Sequence, residues 1–96
     1  MNYKSKRWKK KREAILRRDG YQCQISLRYG KHVEADTVHH IFPADKFPEY
    51  QWENWNLISL AGSVHNKMHE RDTQELTAEG MQLLKRTARK QGIIIE

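Results

Sequence analysis

Four of the five histidines in this 96-residue chain fall into two tight groups, the adjacent His39 and His40, and His65 with His69 four residues on. Neutral near pH 7, imidazole serves both as a metal ligand and as a general base, so such grouping points to metal-assisted or acid–base chemistry. On a helix, an i, i+4 spacing puts His65 and His69 on one face, the geometry with which one element offers two nitrogens to one ion. The 39–40 pair offers a third ligand and a spare imidazole for proton transfer. Three protein ligands with open positions describe a catalytic ion, because water or a substrate oxygen must be able to enter. Adjacent residues on an ideal strand face opposite ways, so His39 and His40 share a site only if the strand bends or ends there, or if substrate lies between them. Pro43 favours an ending.

These groups must be carried by a small set of elements. The stretch SKRWKKKREAILRRDG predicts a helix over about 5–18, with Trp8, Ile15 and Leu16 on one face and Asp19-Gly20 ending it. From Tyr21 to Phe42, strand-like residues around the turn signal Gly30-Lys31 predict a hairpin or two short strands, with Val33, Ala35 and Thr37 alternating up to Val38. The stretch PADKFPEYQWENWN predicts a loop whose Phe47, Tyr50, Trp52 and Trp55 belong to the core. NLISL reads as a short strand, followed by a helix-compatible segment carrying His65 and His69. Thr77 is placed to cap a last helix over 77–91, with Met81, Leu83 and Leu84 as its apolar surface and Gly92 as its stop. One domain is expected, with its β-rich core over about 33–70.

The net charge of +6 is concentrated at one end. Residues 1–18 hold Lys4, Lys6, Arg7, Lys9, Lys10, Lys11, Arg12, Arg17 and Arg18 against the single acid Glu13. A polyanionic partner follows, nucleic acid first and an acidic membrane surface second, because neutralising phosphates releases condensed counterions. One cysteine, Cys23, excludes an intrachain disulfide and suits a reducing, cytoplasmic compartment. No apolar run approaches the ~18 residues of a membrane span.

Three ordered blocks, VHHIFP, NLISL and HNKMH followed by ERDTQELTAEG, resemble the HNH endonucleases, especially the small enzymes of phages and prophages. The resemblance implies an α+β fold, a ββα-metal (His-Me finger) core between a basic N-terminal helix and a C-terminal helix. It implies a metal-dependent DNA endonuclease that nicks or cuts both strands, leaving a 5′-phosphate and a 3′-hydroxyl. His39, His65 and His69 would then hold one divalent ion (Mg²⁺, Mn²⁺, Ni²⁺ or Zn²⁺), His40 would be the general base, and Asn56 would orient it. Asn66 would have a supporting part. Double-stranded DNA is the implied partner, met by the basic residues of the first helix and by Arg71 and Arg28 as candidate phosphate contacts. Phage terminase or packaging proteins are further candidates, within the host cell. Many phage members bind a structural zinc through two C-x-x-C pairs; here the matching positions are Cys23, Ser26, Ala61 and Val64, so no structural zinc is expected. The aromatic loop and Ile93, Ile94 and Ile95 are the candidates for replacing it. His32 matches no motif. The alternative is a DNA-binding module of HNH descent that no longer cuts.

Overall fold

The computed structural model describes residues 1–95. Helix α1 (Lys6–Arg18) starts where the Ser5 hydroxyl accepts from the Trp8 amide and ends in the turn at Asp19 and Gly20. It is followed by the short α2 (Gln24–Arg28), strand β1 (Thr37–His40), two 3₁₀ turns (Pro48–Tyr50 and Asn54–Asn56), strand β2 (Leu57–Leu60), the single-turn α3 (Gly62–His65) and α4 (Ala78–Gln91). The result is the small α+β fold expected for a ββα-metal finger, flanked by N- and C-terminal helices. No helix among the described residues is long and apolar enough to cross a membrane.

The two strands pair antiparallel, with Val38 opposite Ser59, His39 opposite Ile58 and His40 opposite Leu57. Because side chains alternate along a strand, Val38, His40, Leu57 and Ser59 share one face, and His39, Ile58 and Leu60 the other. Both faces are covered, which is why β2 is apolar almost throughout and buried at every position. On the first face lies α1, whose Trp8, Ile15 and Leu16 pack with Ala35, Val38 and Leu57. The second is covered by Cys23, Met68 and the inward stripe of α4 (Leu83, Leu84, Ala88), with Ile41 and Phe42 in the same cluster.

Arg18 closes the first layer by donating to the carbonyls of Asn54 and Leu57, while Asp19 accepts from the Ser59 amide. The aromatic loop does belong to the core: Phe42 meets Phe47, Tyr50 and Trp55 edge-on at centroid distances of 5.1, 5.3 and 5.8 Å. Trp52 instead joins the α1 layer, under the guanidinium of Arg7.

Several expectations are corrected. The segment 24–28 is helical, and Gly30 makes a left-handed turn after α2 rather than the tip of a hairpin. The strand leading to His40 begins only at Thr37; before it, a lone bridge joins Gln22 to Glu34. Of the three terminal isoleucines, Ile93 packs on the core while Ile94 is 90% exposed.

Candidate active site

His39, His65 and His69 converge as a nearly equilateral triangle, with ring centroids 5.2, 5.3 and 5.3 Å apart. One nitrogen from each ring lies within 4.8 Å of the others. The three come from different elements. His39 projects from the second face of β1 and His65 ends α3, but His69 is not on that helix. It lies four residues past the end of α3, in a bridge to Leu76. The i, i+4 spacing picked out two rings that do converge, though not from one helix.

What holds His69 is the start of α4. Thr77 caps that helix by accepting from the Gly80 amide, and also donates its hydroxyl to the Lys67 carbonyl. Gly80 sits so close to this segment that a Cβ there would lie 2.4 Å from the Met68 carbonyl oxygen. The ring of His69 is oriented by the Gln74 carbonyl, 3.1 Å from Nδ1, and Gln74 adopts a left-handed backbone with φ of 61°. An Nδ1–H donated to that carbonyl leaves the Nε2 lone pair for a ligand. Gln74 carries no motif signal, and sequence reading missed it.

A divalent ion fits this triangle. His39 is 1% exposed, yet neither of its ring nitrogens has a hydrogen-bond partner. A buried polar group without a partner is costly, and coordination of one nitrogen removes much of that cost. Two of the three rings are also held toward the neutral form. Burial, then the neighbouring His65, His69 and His40, hold His39 down to about 3, and burial followed by His69 lowers His65 against the opposing pull of Asp36. Neutral imidazoles are what a metal ion requires.

His40 leaves the opposite face of the same strand and lies where β1 ends, so both histidines open into one cavity of ≈ 660 Å³ that also takes in Trp8, Arg12 and Asp36. The Nε2 of His40 is 3.1 Å from the Gln51 carbonyl. The neutral ring then carries its proton on Nε2 and presents the Nδ1 lone pair. Burial lowers its pKa, opposed by the bond to Gln51. The indole of Trp8 stacks on the ring at 5.1 Å, and Tyr3 meets it edge-on at 6.0 Å. Trp8 reads from sequence as core alone; its contact with His40 depends on where α1 crosses β1.

Asn56 is fully buried. Its Oδ1 accepts from the Phe42 amide at 2.7 Å and its Nδ2 donates to the carbonyls of Phe42 and Tyr50, both at 3.1 Å. It thereby ties the exit of β1 to the turn that supplies Gln51.

The candidate nucleic-acid contacts divide. Lys4, just before α1, and Lys6, Lys9, Lys10 and Arg17 along it are exposed, and Arg12 reaches the cavity while donating to the Asp36 carbonyl. Lys11 bonds Asn54, and Arg18 is engaged by Asp19 and two carbonyls. Neither Arg28 nor Arg71 lines the histidine cavity.

Neither a family model nor a curated protein matches this chain. A solved structure does: the HNH endonuclease of the deep-sea thermophilic bacteriophage GVE2, crystallised with manganese ion. It is 36% identical, with a TM-score of 0.64, over 67% of this chain and 70% of that one. The chain belongs to the HNH endonuclease family. As an HNH endonuclease it is a metal-dependent nuclease with a histidine-based site for a single divalent ion, and His39, His65 and His69 form a cluster that could hold one. The structural-zinc pattern has one thiol of four, and Cys23 is a buried core side chain.

Proposed function

We propose that this HNH endonuclease hydrolyses phosphodiester bonds of double-stranded DNA, with His39, His65 and His69 holding the ion and His40 acting as general base. The observation that carries this is the pairing of a buried, unpartnered His39 with a His40 whose Nε2 is committed to a carbonyl. Binding alone needs no free imidazole nitrogen. Nδ1 of His40 takes a proton from water as the water oxygen bonds to phosphorus and the phosphorus–O3′ bond breaks, and the departing O3′ takes a proton from solvent, giving a 5′-phosphate and a 3′-hydroxyl. When bound, the ion neutralises charge on the phosphate and on the departing oxygen.

Gln51 fixes the tautomer of His40, and Trp8 covers one face of the ring so that it stays aimed at the cavity. Asn56 acts at a distance, by holding the backbone around Gln51. The exposed bases of α1, with Arg12 at the rim, supply phosphate contacts that give affinity without sequence preference. Manganese in the GVE2 enzyme supports Mn²⁺ as one usable ion, and that enzyme's source supports a phage role for this chain, with terminase or packaging proteins as candidate partners.

Supercoiled plasmid tests the reading directly. Metal-stripped protein given Mn²⁺, Mg²⁺, Ni²⁺ or Zn²⁺ is expected to produce nicked or linear DNA, and His40→Ala to produce neither. Intact plasmid with every ion, alongside salt-sensitive binding, would favour a non-cutting DNA-binding module.

A further inference from the structure

A second cavity, of ≈ 780 Å³, lies between α2 and α4 and contains none of the histidines. Arg28, Lys31, Lys67 and Arg86 line it against one acid, Glu79. Among the described residues none of these four cations forms an ion pair. Arg28 and Arg86 line the same cavity as like charges, and the Arg28 guanidinium is drawn below its ordinary range by partial burial and then by Arg86. Such crowding opposes the free fold and is relieved by an anion, for which arginine offers paired donors and lysine a compact charge.

The position matters as much as the charge. Val64, Lys67 and Met68 line this cavity, while His65 and His69 line the other, so α3 and the residues after it form a shared wall. A helix is ~10–12 Å across, about three base-pair rises of ~3.4 Å. On that thickness, a strand with its scissile phosphate at the histidines would have other phosphates within a few nucleotides' reach of this cavity. Four charges spread over the end of α2, the turn after it, the wall and α4 suit a run of phosphates better than a single small anion.

We infer that this cavity is a second phosphate site, gripping the backbone of the same nucleic acid a few nucleotides from the scissile bond; the inference rests on the nuclease reading above. It gives Arg28 a role away from the reacting atoms, with Arg86 and Lys67 as partners that no motif indicates.

The test is binding of a labelled duplex of about 30 base pairs by the full-length, metal-free protein, with anisotropy followed from about 50 to 200 mM KCl. Arg28→Gln/Arg86→Gln and Lys31→Gln/Lys67→Gln are compared with wild type and with Lys85→Gln, which removes a charge from α4 outside the cavity. Lys31, Lys67, Lys85 and Arg86 are exposed and the Arg28 side chain is only partly covered, so the fold should tolerate the changes, and far-UV circular dichroism verifies it. Each double variant is expected to flatten the slope of log K against log salt by about 1.8, and Lys85→Gln by distinctly less. Double variants with the wild-type slope, or with no more effect than Lys85→Gln, overturn the second site while leaving plasmid cleavage and the nuclease reading intact. Wild-type protein that shows no salt-sensitive duplex binding overturns both. Inorganic phosphate that shifts the Arg86 resonance, with the duplex slope unchanged, marks a small-anion pocket and overturns the backbone assignment.

Discussion

Replacing Asn56 by Asp alters one atom of a buried side chain and should reverse the pH response at that position. Asp keeps the shape and can still accept from the Phe42 amide. The Nδ2 donor, however, becomes an oxygen facing two carbonyl oxygens that Asn56 contacts at 3.1 Å. With the position 0% exposed, the ionised form is strongly disfavoured. A fully buried carboxyl rises by about 3 units or more, and at about 1.36 kcal/mol per unit the penalty at pH 7 is ~4 kcal/mol. That is a large share of the ~5–14 kcal/mol expected for a chain of this length.

The sign follows from linkage. The folded pKa stands above the unfolded value of ~3.9, so the penalty is complete above the folded pKa and shrinks as pH falls toward the unfolded one. Protonated, the carboxyl can again donate to one of the carbonyls. Urea unfolding of metal-free wild type and variant at matched pH values between 7.5 and 5, taken as rough bounds, measures the gap at each pH. The gap should be about 4 kcal/mol at neutral pH and should narrow on acidification. A gap below about 1 kcal/mol, or one independent of pH, refutes the argument that the donor direction of Asn56 is what the fold requires. Cleavage by the variant should fall further than its metal affinity, because the Gln51 carbonyl is displaced before any ligand is.

Five other outcomes are expected. His40→Ala should lose cleavage by about 100-fold or more while retaining metal affinity by calorimetry, since it removes a base and no ligand; equal loss of both would contradict the roles. His69→Ala should weaken the ion by more than the ~10–100-fold cost of losing an outer hydrogen-bond partner, whereas Trp8→Leu should lower kcat with little change in metal affinity. Gly80→Ala, whose Cβ would lie 2.4 Å from the Met68 carbonyl oxygen, should cost about 1–3 kcal/mol in thermal unfolding and loosen metal binding through His69. Metal-free wild type should lose stability in acid: His39 titrates at about 3 when folded and at its ordinary 6.5 when unfolded, so its contribution is present above pH 6.5 and lost as pH falls. Between pH 7 and pH 5 that loss is about 2 kcal/mol, and a flat denaturation midpoint over that range would contradict it.

The sequence carried the chemistry more plainly than the geometry. The two histidine groups, the NLISL strand and the capping threonine at 77 were all legible, because residue type, alternation and capping are local properties. The short α2 was not, since five residues are far below the ~12–15 that make an isolated helix marginal, and QISLR is helical only in the context of its neighbours. For the same reason β1 was extended too far back and α3 too far forward.

Residue identity by itself determined that three imidazoles and a fourth would be available, that the first 18 residues would carry nine basic side chains against one acid, and that a four-thiol zinc site could not form. Only the tertiary structure decided which imidazole meets which. The pairing of β1 with β2 and the end of α3 bring His39 to His65, and the N-terminus of α4 sets the position of His69. Trp8 reaches His40, and Arg28 moves away from the catalytic cavity, because of where helices cross and end. Those placements depend on contacts between residues tens of positions apart, which no local pattern encodes.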